Sequence, residues 1–408
     1  MSPALDMAAL DTAQLLARGL AGGVAAWSGL LLGAALTGAW RASRLLSAPL
    51  PVVEGPRPVV LFVRPVSGAD PWLDRALLSI LSARRSFPLR VLVTMIDADD
   101  PARPIAERCC ATLRDAGLDA RVLVTGAVGP NRKASQLAVA VATEPCALTL
   151  AADGDVDLSG LDLDALVLPL LAEPELCALW APPIERSPSA GPGAGAEGRA
   201  GDRLSSALLG ASLHAFPLLC GLDPRGLVGK LFCFKTKVLY RQQGLFSLVD
   251  VLGEDMALAE KLAAGGYRVR AAALLAPTLA RGRSPGEVVA RWSRWLQVIR
   301  GQRPGLLWSY PAMFVATPLL LLVCAVAAFA APGAAALAAS FAVVVRLLTA
   351  GLARWLSGQP TGAPLSDAIM ADLTLTLAFL SMLRSRSFTW RGARLQIGPD
   401  GRLLEADR

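Results

Sequence analysis

A single histidine, His214, stands among 408 residues, so this chain cannot assemble a His-rich zinc site. Seven cysteines show no Cys-x-x-Cys spacing, and an odd number cannot pair completely, which excludes a full disulfide scaffold and points to thiols kept reduced in the cytosol. Charge is scarce as well. Asp, Glu, Lys and Arg make up 18% of the chain while 54% is hydrophobic and the mean hydropathy is +0.48; ordinary soluble domains carry about 25% charged residues. Such a chain has too much apolar surface to be wholly water-soluble. The formal charge of +7 does not signal nucleic acid, because the basic residues are dispersed or flank apolar segments and no basic run is interleaved with stacking aromatics. Between residues 56 and 286 no apolar run reaches the roughly 20 residues that a bilayer crossing needs, so this stretch is a water-facing domain of enzyme size. It also lacks a phosphate-binding glycine loop. The one Gly-x-Gly-x-x-Gly match, at 193–198, has no strand before it and lies in a Gly/Pro/Ala-rich stretch, 187–202, that reads as a flexible surface loop.

Long apolar runs supply what is missing in charge. Residues 1–18 read as a tail and 19–40 as a transmembrane helix or uncleaved signal anchor, since 22 helical residues reach ~33 Å. Arg41 and Arg44 follow the run instead of preceding it, so the positive-inside rule puts the linker 41–57 and the polar domain 58–286 in the cytoplasm, at a bacterial inner membrane. Residues 287–304 form an interfacial Arg/Trp helix, and 305–356 a transmembrane hairpin turning at Pro332-Gly333. The run 364–383 carries Asp367 and Asp372 and precedes Arg384, Arg386, Arg391 and Arg394. Were it to cross, those arginines would lie outside; it is therefore expected to be interfacial or re-entrant, with 384–408 cytoplasmic.

Inside the polar domain, short apolar runs (59–63, 90–96, 121–124, 146–150) alternate with helical periodicity (71–84, 101–115, 133–142). That alternation predicts an α/β fold with a mainly parallel sheet, whose ligands bind at the carboxyl ends of the strands. Two of those ends are acidic: one run leads into Asp97, Asp99 and Asp100, another into Asp153-Gly154-Asp155. Asp-x-Asp places two carboxylates about one strand step apart, where one can hold Mg²⁺ or Mn²⁺ on a diphosphate while the other meets sugar hydroxyls. Plainer readings compete: a helix cap ahead of Pro101, an acidic turn at 153–157, a first-turn Asp at 255, and a snorkelling interface cluster at 291–295.

Taken together, RPVSGADPWL (64–73), IDADDPA (96–102), GPNRKASQL (129–137), ADGDVDL (152–158), GEDMALAEKLAAGGYRV (253–269), RWSRW (291–295) and TWRGARLQIGPDGRL (389–403) resemble membrane-bound, family 2-like glycosyltransferases of GT-A fold, and among them the ceramide glucosyltransferase branch, family 21. The insert at 187–202 and the apolar segment HAFPLLCGL depart from that pattern around the acceptor region. The resemblance implies that Asp97 contacts uracil or ribose, that Asp153 and Asp155 form the donor and metal pair with Asp155 on the ion, and that Lys133 neighbours the diphosphate. It further implies Asp255 as the general base of an inverting transfer, Arg291 and Arg294 as counter-charges to the departing diphosphate, and Trp295 and His214 beside the acceptor. The expected reaction moves a hexose from a nucleotide sugar, UDP-glucose or a relative, to the hydroxyl of a membrane lipid. Ceramide is the leading acceptor and a hopanoid or another bacterial lipid the alternative. A non-catalytic lipid-binding scaffold is the reading from a different class.

Overall fold

The structure is a computed structural model that describes residues 3–185, 196–241, 244–279, 282–359, 365–384, 387–390, 393–398 and 402–405. The chain begins with α1 (Pro3–Leu46), then alternates β1 (Val60–Pro65), α2 (Leu73–Leu78), β2 (Leu89–Met95), α3 (Arg103–Asp115), β3 (Asp119–Val124), α4 (Arg132–Thr143), β4 (Leu148–Ala152), α5 (Asp164–Ala172) and β5 (Leu176–Trp180). After the short β6 (Pro183–Ile184) come α6 (Ala196–Gly210), α7 (Phe216–Leu222), β7 (Leu231–Lys235), α8 (Thr236–Arg241), α9 (Glu254–Ala264), β8 (Arg268–Ala271) and β9 (Ala276–Pro277). Four long helical segments follow, α10 (Pro285–Gln302), α11 (Ala316–Ala327), α12 (Pro332–Leu356) and α13 (Leu365–Arg384), before β10 (Ser387–Trp390), β11 (Ala393–Ile397) and β12 (Leu403–Glu405).

Seven strands form one sheet in the order β3-β2-β1-β4-β7-β5-β8, parallel except for β7, which runs antiparallel to both β4 and β5. This is the mainly parallel α/β sheet expected of a GT-A domain. Its central strands β1, β4, β5 and β7 are buried on both faces and are near-continuous apolar runs, while the edge strands β3 and β8 are partly exposed. Along β1, Val60 and Phe62 join Leu77, Leu113 and Leu166 of α2, α3 and α5, while Leu61 and Val63 face Leu137 and Leu258 of α4 and α9. The second face also receives Ala39 and Ala42 of α1 and Ala353 and Leu356 of α12, which seats the apolar helices directly on the sheet domain. Where α1 crosses α7 the backbones nearly touch. A Cβ added at Gly221 would lie 2.0 Å from the Gly38 carbonyl oxygen, so only glycine permits that crossing.

Three sequence expectations change here. The tail 1–18 is helical from Pro3 onward, continuous with the apolar run in a 44-residue α1. The apolar segment before Pro332 is broken: a 3₁₀ turn (Pro304–Trp308) and a π turn (Tyr310–Phe314) lead into α11 at a bend of 54°. The loop expected over 187–202 gives way to α6 from residue 196, while 186–195 lie outside the described residues. The reason is a close contact that composition cannot reveal. A Cβ at Gly201 would sit 1.8 Å from the Arg283 carbonyl oxygen, and Asp202 accepts from the amides of Gly282 (2.8 Å) and Arg283 (3.3 Å).

α13 has both ends tied to the sheet domain. Arg203 of α6 donates to Ser366 (3.0 Å) near its start, and Arg300 of α10 donates to the Met382 carbonyl (3.5 Å) near its end. Beyond it, β10–β12 form a small antiparallel sheet whose Leu403 amide donates to the Asp250 carbonyl (2.7 Å), bringing the chain back beside α9. The two acids that interrupt the helix are paired with α12: Asp372 accepts from Arg346 at 2.9 and 3.0 Å, and Asp367 from Arg354. Leu365, Ile369, Leu373, Leu377, Leu380 and Leu383 stay exposed along one stripe. Arg386 and Arg391 lie outside the described residues.

Candidate active site

The site is built at the carboxyl end of β4. Its last residue, Ala152, pairs with Leu231 of β7, and because β7 runs the other way, the residue before it, Lys230, emerges beside the acidic turn that follows β4. The Asp153 amide donates to the Lys230 carbonyl (2.9 Å), while the Lys230 ammonium reaches both oxygens of Asp155 (2.8 Å each) and Asp153 Oδ2 (3.1 Å). Lys133 arrives from the first turn of α4 and bonds Asp153 Oδ1 (2.7 Å), Glu254 Oε1 (3.3 Å) and the Gly229 carbonyl (2.6 Å). Its position depends on Asn131, whose side-chain oxygen caps α4 by accepting from Ala134 N (3.0 Å) while its amide donates to Glu254 Oε2 (2.9 Å).

The start of α9 supplies the other wall. Gly253 holds φ of +73° and a Cβ there would meet Val298 at 2.3 Å, so both backbone and packing require glycine ahead of Glu254-Asp255. Asp255 Oδ2 accepts from the Gly229 amide (2.6 Å) and Oδ1 from its own helix at Met256 (2.8 Å). Gly229 thus bonds Asp255 through its N–H and Lys133 through its carbonyl, linking the 153–155 turn to the helix start across two residues.

The carboxylates differ in acidity. Burial raises the Asp255 carboxyl, helped by neighbouring Glu254, to about 6 despite Lys133 and two backbone donors. Burial pushes Asp155 upward too, but the Lys230 ammonium, with Arg291 and Arg283, outweighs it and holds the group at about 2. Asp153 is lowered for the same reason by Lys133 and Lys230. Underneath, burial brings Arg64 at the end of β1 down to about 10 against the pull of Asp155, Asp153 and Asp157; it donates to the Val156 carbonyl (3.2 Å). One carboxylate poised near neutrality and another kept ionised is the separation that acid–base chemistry uses.

Next to this cluster runs α10, begun by a reciprocal Ser284–Glu287 capping box. Arg291 donates to Glu185 Oε1 (3.0 Å) and its guanidinium lies 4.7 Å over the Trp295 ring; Arg283 donates to the same Glu185 oxygen (3.0 Å). Glu185 is buried, and the two guanidiniums keep it ionised against that burial. Arg294 lies half-buried on the same helix. His214 lies away from the acids, in an aromatic layer with Trp292 (4.7 Å), Tyr310 (5.1 Å) and Phe314 (4.2 Å). Burial lowers it to about 3, so the ring is neutral.

Of the first acidic group, Asp100 has a structural role other than the expected helix cap: its Oδ1 accepts from Ala102 N and from Gly68 N (2.8 Å each), bracing the turn ahead of α3, whose N-cap is Ala102. Asp97 is exposed at the strand end, with Arg132 at 3.5 Å. The structure therefore brings Asp153, Asp155, Lys133 and Asp255 into one hydrogen-bonded cluster, sets Arg291 and Trp295 along its side, and leaves Asp97 at the rim. Sequence reasoning missed Lys230, Glu254, Arg64, Glu185 and Arg283. Five lysines occur in the whole chain, and that scarcity was the available signal for Lys230.

A divalent ion fits this donor set only in company. Two adjacent carboxylates, one held ionised, are hard oxygen ligands suited to Mg²⁺ or Mn²⁺, yet among the described residues no three His, Cys, Asp or Glu side chains converge. Mg²⁺ in phosphate-transfer sites takes about one or two carboxylates and completes its shell with substrate phosphates and water. The residues fit that arrangement: Asp155, with Asp153 beside it, would hold the ion, which would supply charge to neutralise the diphosphate.

Among solved structures, the chain is similar to the mannosyltransferase PcManGT from Pyrobaculum calidifontis, in complex with GDP-Man and Mn²⁺, at 22% identity and a TM-score of 0.51, over 90% of this chain and 99% of that one. At this identity the likeness is one of fold, and the fold is of GT-A type. TarS of S. aureus (13% identity, TM-score 0.36, 85% of this chain and 99% of that one) and glucosyl-3-phosphoglycerate synthase from Mycobacterium tuberculosis (16%, 0.37, 62% and 85%) are more distant. Comparison with curated protein sequences finds no match. The profile of glycosyl transferase family 21 matches residues 26–403, nearly the whole chain, and the protein belongs to that family.

Proposed function

We propose that this protein transfers a hexose from a nucleotide-sugar donor, UDP-linked, to the hydroxyl of a membrane lipid, with inversion at the sugar carbon and with Asp255 as the general base. The observation that carries the reading is the sharing of Gly229 between Asp255 and Lys133: through Gly229 and Lys133 the elevated carboxyl joins Asp153 in one hydrogen-bonded network. In this reading Asp153 and Asp155 hold the donor, Asp155 with a divalent ion that neutralises diphosphate charge. Asp97 meets the nucleoside at the rim. Lys133 and Lys230 exchange carboxylate for diphosphate contacts, and Arg291 and Arg294 face the leaving group. Asp255 accepts the proton of the acceptor hydroxyl as that oxygen attacks from the side opposite the diphosphate.

The lipid reading is supported by three helices long and apolar enough to cross a membrane, α1, α12 and α13 by that measure, with the bent pair before Pro332 as a fourth segment. For α13 the tether at each end to the sheet domain and the single apolar stripe favour an in-plane helix at the bilayer surface. Trp295 then faces the approach of an amphiphilic acceptor, backed by the buried rings of Trp292 and His214. Ceramide is the leading acceptor and a hopanoid the alternative. The catalytic domain is read as cytoplasmic, where nucleotide sugars are made.

The test is purified full-length protein in neutral micelles with a panel of UDP-hexoses and GDP-mannose against ceramide, hopanoid polyol and diacylglycerol, with products identified by mass spectrometry. A glycolipid formed from one donor and one lipid class is expected. Nucleotide binding with no transfer to any lipid in the panel would leave the scaffold reading in possession.

A further inference from the structure

The last two turns of α1 and the segment 48–51 do not lie flat on the sheet domain. They enclose a groove of about 580 Å³ against α5, β5 and β8 that shares no residue with the catalytic cluster. Ligand pockets run to about 300–1,000 Å³. Three guanidiniums line the groove, those of Arg41, Arg44 and Arg270, opposed by one carboxylate, Glu173. Glu173 is already committed, to Arg270 at 2.8 Å and to Arg268 at 3.4 Å. Arg44 stacks over Trp40 (5.3 Å), and neither Arg41 nor Arg44 has a carboxylate partner among the described residues. Two uncompensated cations in a concave site with apolar walls attract an anion more strongly than the same cations on open surface, because the low-dielectric walls focus their field.

The surroundings identify the anion's carrier. Trp40 forms part of the groove and is exposed, and one turn before it Leu36 is exposed on the same face of α1. A molecule with its phosphate among the arginines therefore has an apolar track for its chains leading straight out of the groove. We propose that this groove binds the phosphate of an anionic phospholipid, with the headgroup between Arg41, Arg44 and Arg270 and the acyl chains along Leu36 and Trp40. The site anchors the catalytic domain at a fixed height and tilt on the membrane surface. It rests on the placement of α1 in the bilayer and is independent of the sugar chemistry.

The full-length protein in mild detergent is offered dioleoyl-phosphatidylglycerol, dioleoyl-phosphatidylcholine, or inorganic phosphate, and bound lipid is counted by native mass spectrometry. Wild type is expected to retain phosphatidylglycerol in preference to phosphatidylcholine, and Arg41→Gln/Arg44→Gln to weaken retention roughly 10- to 30-fold, near-surface arginines each contributing modestly. Transfer in neutral micelles should be unchanged in the variant. Equal retention of the two lipids by wild type overturns the proposal without recourse to any variant. Inorganic phosphate at millimolar concentration that displaces the lipid fully overturns the lipid assignment in favour of a free anion. Unaltered phosphatidylglycerol binding in the folded double variant removes these arginines as the site.

Discussion

The ammonium of Lys230 sits 2.8 Å from each carboxylate oxygen of Asp155, so a divalent ion held by that carboxylate would compete with the lysine. A lysine in that place compensates two buried carboxylates, Asp153 and Asp155, and under the proposed function it would be free to meet the diphosphate when an ion occupies Asp155.

Lys230→Met therefore has opposite effects on ion and donor. Mn²⁺ binding without nucleotide, read by electron paramagnetic resonance, should tighten by on the order of 10-fold as one competing cation disappears. The donor KM should rise by about 10- to 100-fold through loss of a charge-assisted contact. EDTA should abolish transfer by wild type and Mn²⁺ or Mg²⁺ restore it. Full transfer in excess chelator would sink the metal role.

Asp255→Asn keeps the side chain's size and one acceptor oxygen for the amides of Gly229 and Met256, giving up the second of those two bonds, so Tm should fall modestly while UDP affinity changes little. The rate should fall by roughly 10²- to 10⁴-fold, the usual effect of losing a general base. In wild type the base form exists only above the raised carboxyl value of about 6, so kcat should climb with pH through that region and level off above it. A flat profile from pH 5 to 8 would assign the proton elsewhere.

The Arg346–Asp372 pair between α12 and α13 is buried, with side-chain exposures of 10% and 7%. Asp372→Leu alone leaves a guanidinium without its counter-charge and should cost ~3–5 kcal/mol, seen as a lowered Tm. Arg346→Met/Asp372→Leu removes both charges and should recover most of that loss. A double variant as unstable as the single one would show that the pair is not what docks the two helices.

A reporter fused after Arg408 and one inserted at residue 195 should report the same compartment, because α13 returns to the domain it left. Opposite compartments would make α13 a crossing helix.

Much of this molecule is readable from local pattern. The scarcity of charge announces the membrane, and alternating apolar runs announce the parallel strands because burial on both faces leaves no room for polar residues. Asp153-Gly154-Asp155 is visible because it directly follows such a run, and Gly253-Glu254-Asp255 because acids gather in the first turn of a helix, where its dipole favours them. These are properties of neighbours in the chain. What only the fold decided are meetings between residues far apart in it. Lys230 reaches Asp155 because β7 alone in the sheet's middle runs antiparallel, a strand direction that apolar periodicity does not encode. Glu185 becomes the shared partner of Arg283 and Arg291 through the seating of α10, and Asp97 separates from Asp100 because only one of the two reaches the amides of Gly68 and Ala102. The broken helix before Pro332, the helical end of the Gly/Ala-rich insert and the return of β12 to Asp250 belong to the same class. Sequence determines which groups are present and their local geometry; which charges share a buried pocket depends on strand direction and helix docking, set by packing of the whole chain.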